Sequence, residues 1–377
     1  MAHYTHNIGE TAPERAILVS VQVREGRSRA TDLEEDLMEL GRLASTAGAD
    51  VVGTFVQRVQ RRNPAYLMGS GKVEELVEKV KSSEATLVIF DDELSPVQGK
   101  NLEKALDVRV MDRAELILDI FAIRAKTKEA KLEVELAQLE YMLPRLARMW
   151  THLSRIRGGI GLRGPGETQI ETDRRLIRRR VGKLKRDLKD VARHREVLRK
   201  RRDRRGVRTA VLVGYTNAGK SSLLRGLSGA DVLVEDRLFA TLDTTTREVV
   251  IPPDKRVRLV DTVGFIRKLP HHLVASFRAT LEEATDADIL LHVIDASHEN
   301  WEHQLELVEQ TLADIGLQDV TVIHVFNKMD RVEGAETFRE IARSRFEHSV
   351  FTSAAKKDFA DLRNALSDLA SGVGAGS

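Results

Sequence analysis

The sequence predicts an α/β protein with an N-terminal parallel α/β domain, an antiparallel helical hairpin arm and a C-terminal α/β domain of the phosphate-loop class. Three observations predict this division: alternating strand-like and helix-like runs, a sustained heptad repeat, and a glycine-rich loop between a strand and a helix. A length of 377 residues suits two or three domains at about 150 residues each. We place the domains at 1–126, 127–206 and 207–377.

Composition excludes several classes of site. The chain has no cysteine, which excludes disulfides, thiolate metal sites and cysteine nucleophiles. Its 11 histidines are scattered without H-E-x-x-H spacing, so metal chemistry by histidine is not expected. No apolar run reaches the ~18–20 residues of a membrane span, and the first residues lack a signal-peptide pattern. We therefore expect a cytoplasmic protein.

The N-terminal domain shows alternating short apolar runs and amphipathic runs, as parallel strands with crossover helices require. Strands are predicted at 16–23, 50–57, 86–90 and 108–112, and helices at 31–46, 72–83 and 95–106. Asp91 and Asp92 follow the third strand, where open α/β sheets bind ligands. The simpler interpretation is a solvated loop that caps the next helix.

A second glycine-rich segment, Gly69-Ser70-Gly71-Lys72, resembles a phosphate loop only in part. Position 66 is Tyr rather than Gly, and position 73 is Val rather than Ser or Thr. We therefore predict a turn that opens the following helix rather than a second nucleotide site.

Residues 128–205 carry two heptad runs, which predict the two helices of an antiparallel hairpin. The seam positions are Leu132, Leu136, Leu139, Leu143, Leu146, Trp150 and Leu153 in the first run, and Ile177, Val181, Leu184, Leu188, Val191, Arg195 and Leu198 in the second. Pro144 should kink or break the first helix. The five glycines of segment 154–167 predict an irregular tip loop.

The net charge of +2 hides an uneven distribution. Residues 145–208 hold 23 Lys and Arg against 7 Asp and Glu, a net +16, and the rest of the chain sums to −14. A basic arm with a glycine-rich tip indicates nucleic acid, although a solvated helix surface is the simpler alternative. A membrane-surface role is disfavoured because no apolar face is free of the heptad seam. The candidate RNA contacts are Arg155, Arg157, Gly158, Gly159, Arg163 and Gly164.

The third domain contains the pattern G-x-x-x-x-G-K-S between a predicted strand and a predicted helix. Backbone N–H groups in such a loop hold phosphates, Lys220 reaches the β- and γ-phosphates, and the Ser221 hydroxyl ligates Mg²⁺. The predicted nucleotide-binding residues of this loop are Gly214, Tyr215, Thr216, Asn217, Ala218, Gly219, Lys220 and Ser221.

Two later segments predict base and phosphate recognition. The carboxylate of Asp330 can accept two hydrogen bonds from guanine but not from adenine, and a backbone amide near Ser353 can meet guanine O6. Asp261 suits a water-mediated Mg²⁺ contact, and Gly264 can offer its N–H to the γ-phosphate. We predict catalytic roles for Lys220, Asp261 and Gly264. The further nucleotide-binding residues are Asp261, Thr262, Val263, Gly264, Asn327, Lys328, Met329, Asp330, Ser353, Ala354 and Ala355.

These motifs together resemble the HflX family of ribosome-associated GTPases, in the same superclass as the Obg GTPases. The resemblance rests on GYTNAGKSSL, FATLDTTTR, DTVGFI and NKMD, on the linker 158–175, and on YLMGSGKVEEL at 66–76. It implies that Phe239, Ala240, Thr241, Leu242 and Asp243 contact nucleotide. It also implies that Thr241 is the second Mg²⁺ ligand, with Thr245 as the alternative.

The resemblance further implies a monomeric GTPase that binds GTP, GDP and the large ribosomal subunit, and splits or rescues stalled or stress-damaged ribosomes, without a membrane. A GTP-gated module for another RNA is the alternative. Asn217 suggests a K⁺ beside the phosphates, although it could simply stabilise the loop. Phe265 stands where many GTPases carry a Gln that orients water, so slow intrinsic hydrolysis is expected. Many members continue into a further small domain, whereas about 20 residues follow Ala355 here.

Overall fold

The computed structural model describes residues 13–23, 30–149, 165–203, 207–229, 238–252, 254–268, 287–317 and 320–371. The chain divides into two compact units. Unit 1 comprises Met1–Ile120 and Glu140–Ile177, and unit 2 comprises Phe121–Leu139 and Arg178–Ser377. Each unit thus includes part of both hairpin helices, and the three-domain division stays a prediction.

Unit 1 is built on a parallel sheet of four strands in the order β2-β1-β3-β4. The strands are β1 (Arg15–Val23), β2 (Asp50–Val59), β3 (Leu87–Phe90) and β4 (Arg109–Asp112), and the helices are α1 (Ala30–Ala47), α2 (Ser70–Ser82), α3 (Pro96–Leu106) and α4 (Arg113–Arg124). Each predicted strand and helix is present within about two residues. Helix α2 begins directly after Gly69, as predicted for a helix-opening turn.

The prediction that Asp91 and Asp92 lie in a solvated loop that caps the next helix is wrong. Asp91 is buried and forms an ion pair with Arg113 across 2.8 Å, because α4 brings that guanidinium under the end of β3. Asp92 pairs with Arg62. Ser95 caps α3 instead, in a reciprocal capping box with Gln98. Both aspartates therefore have structural partners rather than a ligand role.

The hairpin helices are α5 (Lys128–Met149) and α6 (Pro165–Asp203). Helix α5 runs through Pro144, so the expected break is absent. The expected loop 154–167 is also too long, because α6 already begins at Pro165, a residue with the fixed φ that suits a first helical turn. Gly166 accordingly lies in a helix. Residues 150–164 lie outside the described residues.

The predicted seam of the arm is visible where the helices belong to unit 2. Leu136 of α5 and Leu184 of α6 are buried, whereas most neighbours of Leu184 are exposed. Arg180 donates to both carboxylate oxygens of Glu135, at 2.6 and 2.7 Å. This bidentate pair fixes the register between α5 and α6 at that level.

One arginine of the basic stretch belongs to the packing of unit 1. Arg145 donates to Asp112 and to the Leu94 carbonyl, each at 2.9 Å, and its guanidinium covers the ring of Tyr141. Arg145 therefore serves to join α5 to the sheet end rather than to present a free charge.

Unit 2 contains a sheet of six strands in the order β10-β9-β8-β5-β7-β6, in which only the β6–β7 pair is antiparallel. Its strands are β5 (Arg208–Gly214), β6 (Thr245–Ile251), β7 (Lys255–Asp261), β8 (Ile289–Asp295), β9 (Val322–Asn327) and β10 (Ser349–Phe351), and its further helices are α7 (Lys220–Ser228), α8 (Trp301–Asp314), α9 (Ala335–Arg345) and α10 (Ala360–Ala370). Strands β6 and β8 were not predicted.

The central strands β5 and β8 are almost entirely buried, which explains their continuous Val, Leu and Ile runs. The C-terminal ends of the parallel strands place the predicted loops along one edge of the sheet. Among the described residues, no helix has the length and apolar character needed to cross a membrane.

Candidate nucleotide and magnesium site

The glycine-rich loop connects β5 to α7 through three residues with positive φ. Gly214 and Gly219 have φ of 148° and 101°, and Asn217 has φ of 62°, which asparagine tolerates better than most residues. A Cβ at Gly219 would lie 2.2 Å from Asn327 Nδ2, and one at Gly214 would lie 2.2 Å from the Val293 carbonyl oxygen. Glycine is therefore required for both conformation and space.

Lys220 is the first residue of α7 and is fully buried beneath the loop. Its Nζ donates to the carbonyl oxygens of Gly214 and Tyr215 at 3.0 and 2.8 Å. Burial lowers the pKa of Lys220 to about 8, and the nearby Asp261 carboxylate opposes that shift. The loop therefore holds a buried ammonium group at the helix N-terminus, where an anion is stabilised.

Three oxygen-bearing side chains from separate segments converge beside this lysine. The Ser221 Oγ donates to Asp261 Oδ2 at 2.6 Å and lies 2.8 Å from Thr241 Oγ1, which itself donates to Asp261 Oδ2 at 3.1 Å. Thr245, the alternative to Thr241, is the first residue of β6 and pairs in register with Asp261. The structure thus brings Thr241, rather than Thr245, to the Ser221 hydroxyl.

The chemistry of this group fits Mg²⁺. The donors are a carboxylate and two hydroxyls, which are hard oxygen ligands. Asp261 Oδ1 is buried and has no hydrogen-bond partner within the described residues. Burial raises the pKa of Asp261, while Lys220 and the two hydroxyls oppose the shift. A cation would satisfy the unpartnered oxygen and stabilise the charged carboxylate.

The segment after Asp261 packs tightly against the glycine-rich loop. Phe265 N donates to the Gly214 carbonyl at 3.1 Å, and Thr216 N donates to the Phe265 carbonyl at 2.7 Å. A Cβ at Gly264 would lie 2.8 Å from Thr216 Cα and 3.0 Å from Lys220 Nζ. Phe265 is buried. Gly264 therefore allows close approach, and the Phe265 ring faces the interior.

Thr262 and Val263, between these residues, are also buried. Thr262 Oγ1 donates to the Leu212 carbonyl at 2.7 Å and so joins this segment to β5. The Thr216 hydroxyl is buried without a partner among the described residues.

In segment 239–243 the side chains turn in different directions. Thr241 faces Ser221, whereas Phe239 is buried edge-on against Phe121, with ring centroids 4.7 Å apart. Leu242 is buried, and Ala240 is partly buried. Thr241 is therefore the side chain of these five that the structure places beside Ser221, and the nucleotide-contacting role that the resemblance implies for the five residues stays a prediction.

Asp243 makes a contact that the sequence reasoning missed. Its Oδ2 accepts from the backbone N–H groups of Lys126 and Thr127 at 2.8 and 3.2 Å, and its Oδ1 accepts from Thr127 Oγ1 at 2.6 Å. Thr127 Oγ1 in turn accepts from Ala130 N at 3.1 Å. Asp243 thus caps the start of α5. The sequence offered a signal only for the helix start: Thr127 lies three residues before Ala130, as a capping threonine does.

The residues predicted to recognise the base meet at the ends of β9 and β10. Asn327 is buried; its Nδ2 donates to the Ala218 carbonyl at 2.9 Å, and its Oδ1 accepts from Thr352 Oγ1 and Ala354 N. This contact of Thr352 was not predicted, although its hydroxyl follows the end of an apolar strand, where site residues lie in such sheets. Asn327 therefore joins the glycine-rich loop to the loop after β10.

Asp330 lies beside that loop and is partly exposed. Its Oδ1 accepts a hydrogen bond from Ser353 Oγ, which holds the pKa of Asp330 below its ordinary value. Lys328 Nζ pairs with Asp295 at 2.6 Å, and Met329 N donates to the Thr352 carbonyl. Ala355 is exposed. The six candidate RNA contacts (Arg155, Arg157, Gly158, Gly159, Arg163 and Gly164) lie outside the described residues.

Comparison with known families covers most of the chain. The model described as GTP-binding GTPase N-terminal matches 34–122, and the GTP-binding GTPase middle region matches 124–202. The model described as 50S ribosome-binding GTPase matches 209–328. GTPase HflX of Lacrimispora saccharolytica is 49% identical over 341 residues, which cover 90% of this chain and 79% of that protein. The chain belongs to the HflX family of GTPases.

Other HflX proteins show similar identity. GTPase HflX of Escherichia coli K12 is 46% identical over 325 residues, covering 86% of this chain and 75% of that protein. Among solved structures, the crystal structure of SsGBP with GDP has a TM-score of 0.53 at 24% identity and covers 95% of this chain and 99% of that one. That likeness shows the fold. The predicted family and the predicted α/β fold class with a P-loop GTPase domain are confirmed.

Proposed function

We propose that this protein binds and hydrolyses GTP with Mg²⁺, and that it acts as a ribosome-associated factor in the cytoplasm. The observation that carries the nucleotide chemistry is the convergence of Ser221, Thr241 and Asp261 beside the buried Lys220, with one Asp261 oxygen unpartnered. Membership of the HflX family supports the same activity.

The residues divide the phosphate chemistry among them. Lys220 and the backbone N–H groups at the start of α7 would hold the phosphates. Ser221 and Thr241 would ligate Mg²⁺ directly, and Asp261 would hold it through water. The bound Mg²⁺ supplies charge neutralisation on the phosphate oxygens. Gly264 would offer its N–H to the γ-phosphate, since its lack of a side chain leaves the approach open.

The water that attacks the γ-phosphate must be oriented by a polar group, and the residue at position 265 does not supply one. Phe265 is 2% exposed and carries no polar atom on its side chain. We therefore propose slow intrinsic turnover that a partner accelerates. Asn217 would add a K⁺ site beside the phosphates. Turnover that is equal in KCl and NaCl would exclude that ion.

The proposed partner is the large ribosomal subunit. The family model that matches 209–328 is described as a 50S ribosome-binding GTPase, and residues 145–208 of the arm carry a net charge of +16. Lysine and arginine on such an arm favour phosphate contacts with structured RNA. We propose that the protein binds the subunit through its N-terminal region and the arm tip, and splits or rescues stalled or stress-damaged ribosomes.

GTP turnover with and without large ribosomal subunits tests this function. Strong stimulation is expected, and removal of 154–164 should abolish both stimulation and ribosome splitting while GTP binding persists. Ser221→Ala should abolish Mg²⁺-dependent turnover, with Ser222→Ala as the matched control in the same helix. Equal stimulation by structured RNA unrelated to the ribosome would instead favour a GTP-gated module for another RNA.

A further inference from the structure

A cluster of two histidines and a glutamate lies between the sheet of unit 2 and helix α8. His292 of β8 and His324 of β9 occupy paired positions in the parallel register, and Glu309 projects from α8. One ring nitrogen from each histidine and one carboxylate oxygen all lie within 4.8 Å of one another. The His324 Nε2 is 3.2 Å from Glu309 Oε1.

Two buried ring nitrogens of this cluster make no hydrogen bond within the described residues. His292 is 1% exposed, and its Nδ1 has no hydrogen-bond partner within the described residues. The Nδ1 of His324 is likewise buried and unpartnered there. A buried ring nitrogen without a partner costs free energy, which is recovered only by a group bound to that same nitrogen. The Phe346 ring packs on His324, with centroids 4.5 Å apart, and covers one side.

The cluster has the donor set of a transition-metal site rather than that of the magnesium site. Two imidazoles and one carboxylate are ligands that Zn²⁺ uses in open, three-ligand sites. Burial, with the nearby His324 and Lys220, lowers the pKa of His292 to about 3, so its imidazole stays neutral. A neutral imidazole is the form that coordinates a metal. No residue is shared with the Ser221, Thr241 and Asp261 group.

The geometry points to a Zn²⁺ site formed by His292, Glu309 and His324, which would join α8 to the two strands beneath it. Zn–N and Zn–O bonds of about 2.1 Å place tetrahedral ligand atoms about 3.4 Å apart. All three ligand atoms lie within 4.8 Å of one another, so the separations must shorten by up to about 1.4 Å. The Glu309 side chain is 48% exposed, so a change of its rotamer can adjust the approach of its carboxylate to the two imidazoles.

Zn²⁺ binding to the full chain tests the proposal. The protein is saturated with Mg²⁺ and GDP, so that Zn²⁺ does not compete for the nucleotide site, and Zn²⁺ is then titrated against a calibrated chelator. Co²⁺ serves as a second probe, because its visible absorption reports tetrahedral coordination. The test variants are Glu309→Gln and His324→Gln. The matched controls on the same helix are Glu306→Gln and His303→Gln, both exposed and outside the cluster.

The wild type and both controls should bind one equivalent of Zn²⁺ and show a raised Tm with it. Glu309→Gln and His324→Gln should each lower the affinity at least tenfold and remove the Co²⁺ absorption. Because Glu309 is partly exposed, its variant should fold and so keeps the test decisive if His324→Gln does not. Absence of Zn²⁺ uptake by the wild type, or unchanged affinity in Glu309→Gln, would overturn the site.

Discussion

Replacing Asp243 with alanine should release the first turn of α5 from the segment that carries Thr241. Asp243 receives three hydrogen bonds at that helix start, two from the backbone N–H groups of Lys126 and Thr127 and one from the Thr127 hydroxyl. Thr241 lies only two residues earlier and contacts Ser221 and Asp261. The carboxylate therefore ties the segment that carries Thr241 to the start of α5.

The free-energy cost of Asp243→Ala can be worked out from those three hydrogen bonds. Loss of a helix-capping acceptor costs about 1 kcal/mol, and hydrogen bonds to a charged group contribute about 1.5–3 kcal/mol. Asp243 is partly exposed, and Lys126 and Thr127 are exposed, so water replaces part of what is lost. We expect about 1–2 kcal/mol, which is roughly a 5- to 30-fold shift in the equilibrium between attached and released α5 starts. Asp243→Asn keeps an acceptor and should cost less.

Hydrogen exchange of the Lys126, Thr127 and Ala130 amides measures this shift directly. In the wild type these amides should be more protected with Mg²⁺ and a non-hydrolysable GTP analogue than with GDP. Asp243→Ala should remove most of that protection and its dependence on nucleotide. Asp254→Asn, an exposed aspartate in the turn between β6 and β7, is the control. Equal exchange in wild type and Asp243→Ala would refute the tie.

Three further predictions follow from single side chains. Gly264→Ala should lower GTP turnover at least tenfold while GDP affinity changes little, because the new Cβ meets Thr216 and Lys220. The control is Gly71→Ala, whose Cβ meets open space. Unchanged turnover in Gly264→Ala would contradict the role of Gly264. Asp330→Asn should weaken guanine binding and improve xanthine binding in competition assays, whereas retained guanine preference would exclude Asp330 as the base acceptor. Glu115→Gln should flatten the pH dependence of stability, because burial raises the pKa of Glu115 from 4.5 to about 7. The wild-type free energy of unfolding should therefore fall as pH rises from about 4.5 through 7, by at most ~1.4 kcal/mol per pH unit. Identical pH profiles of the two proteins in chemical denaturation would contradict this.

Local patterns predicted the elements whose signal lies within a short window. The run from β5 through the glycine-rich loop into α7 follows from strand composition, glycine positions and a helix start within about fifteen residues. Helix α4 was missed for a local reason too: Ala114, Leu116, Ile117 and Ile120 are all buried, so α4 lacks the polar face that marks an amphipathic helix.

Contacts between distant residues could not be predicted in this way. Asp91 looked like a solvated loop residue because its partner, Arg113, comes from the next strand and helix along the chain. The choice between Thr241 and Thr245 likewise depends on which hydroxyl the backbone turns toward Ser221. His292, Glu309 and His324 have no recognisable spacing, since two neighbouring strands and a crossover helix bring them together.

The segment that contains Thr241 makes structural contacts besides the one proposed for Mg²⁺. Phe239, Thr241 and Asp243 alternate along it, and each contacts a different part of unit 2: Phe121, the Ser221 hydroxyl and the start of α5. Phe121 directly follows Ile120, where the first part of unit 1 ends in the sequence. A displacement of Thr241 must therefore either break these flanking contacts or move Phe121 and Thr127 with it. Because both flanking contacts lie at the connection that leads from unit 1 into the arm, the state of the phosphates can bias that connection without any residue there touching the nucleotide.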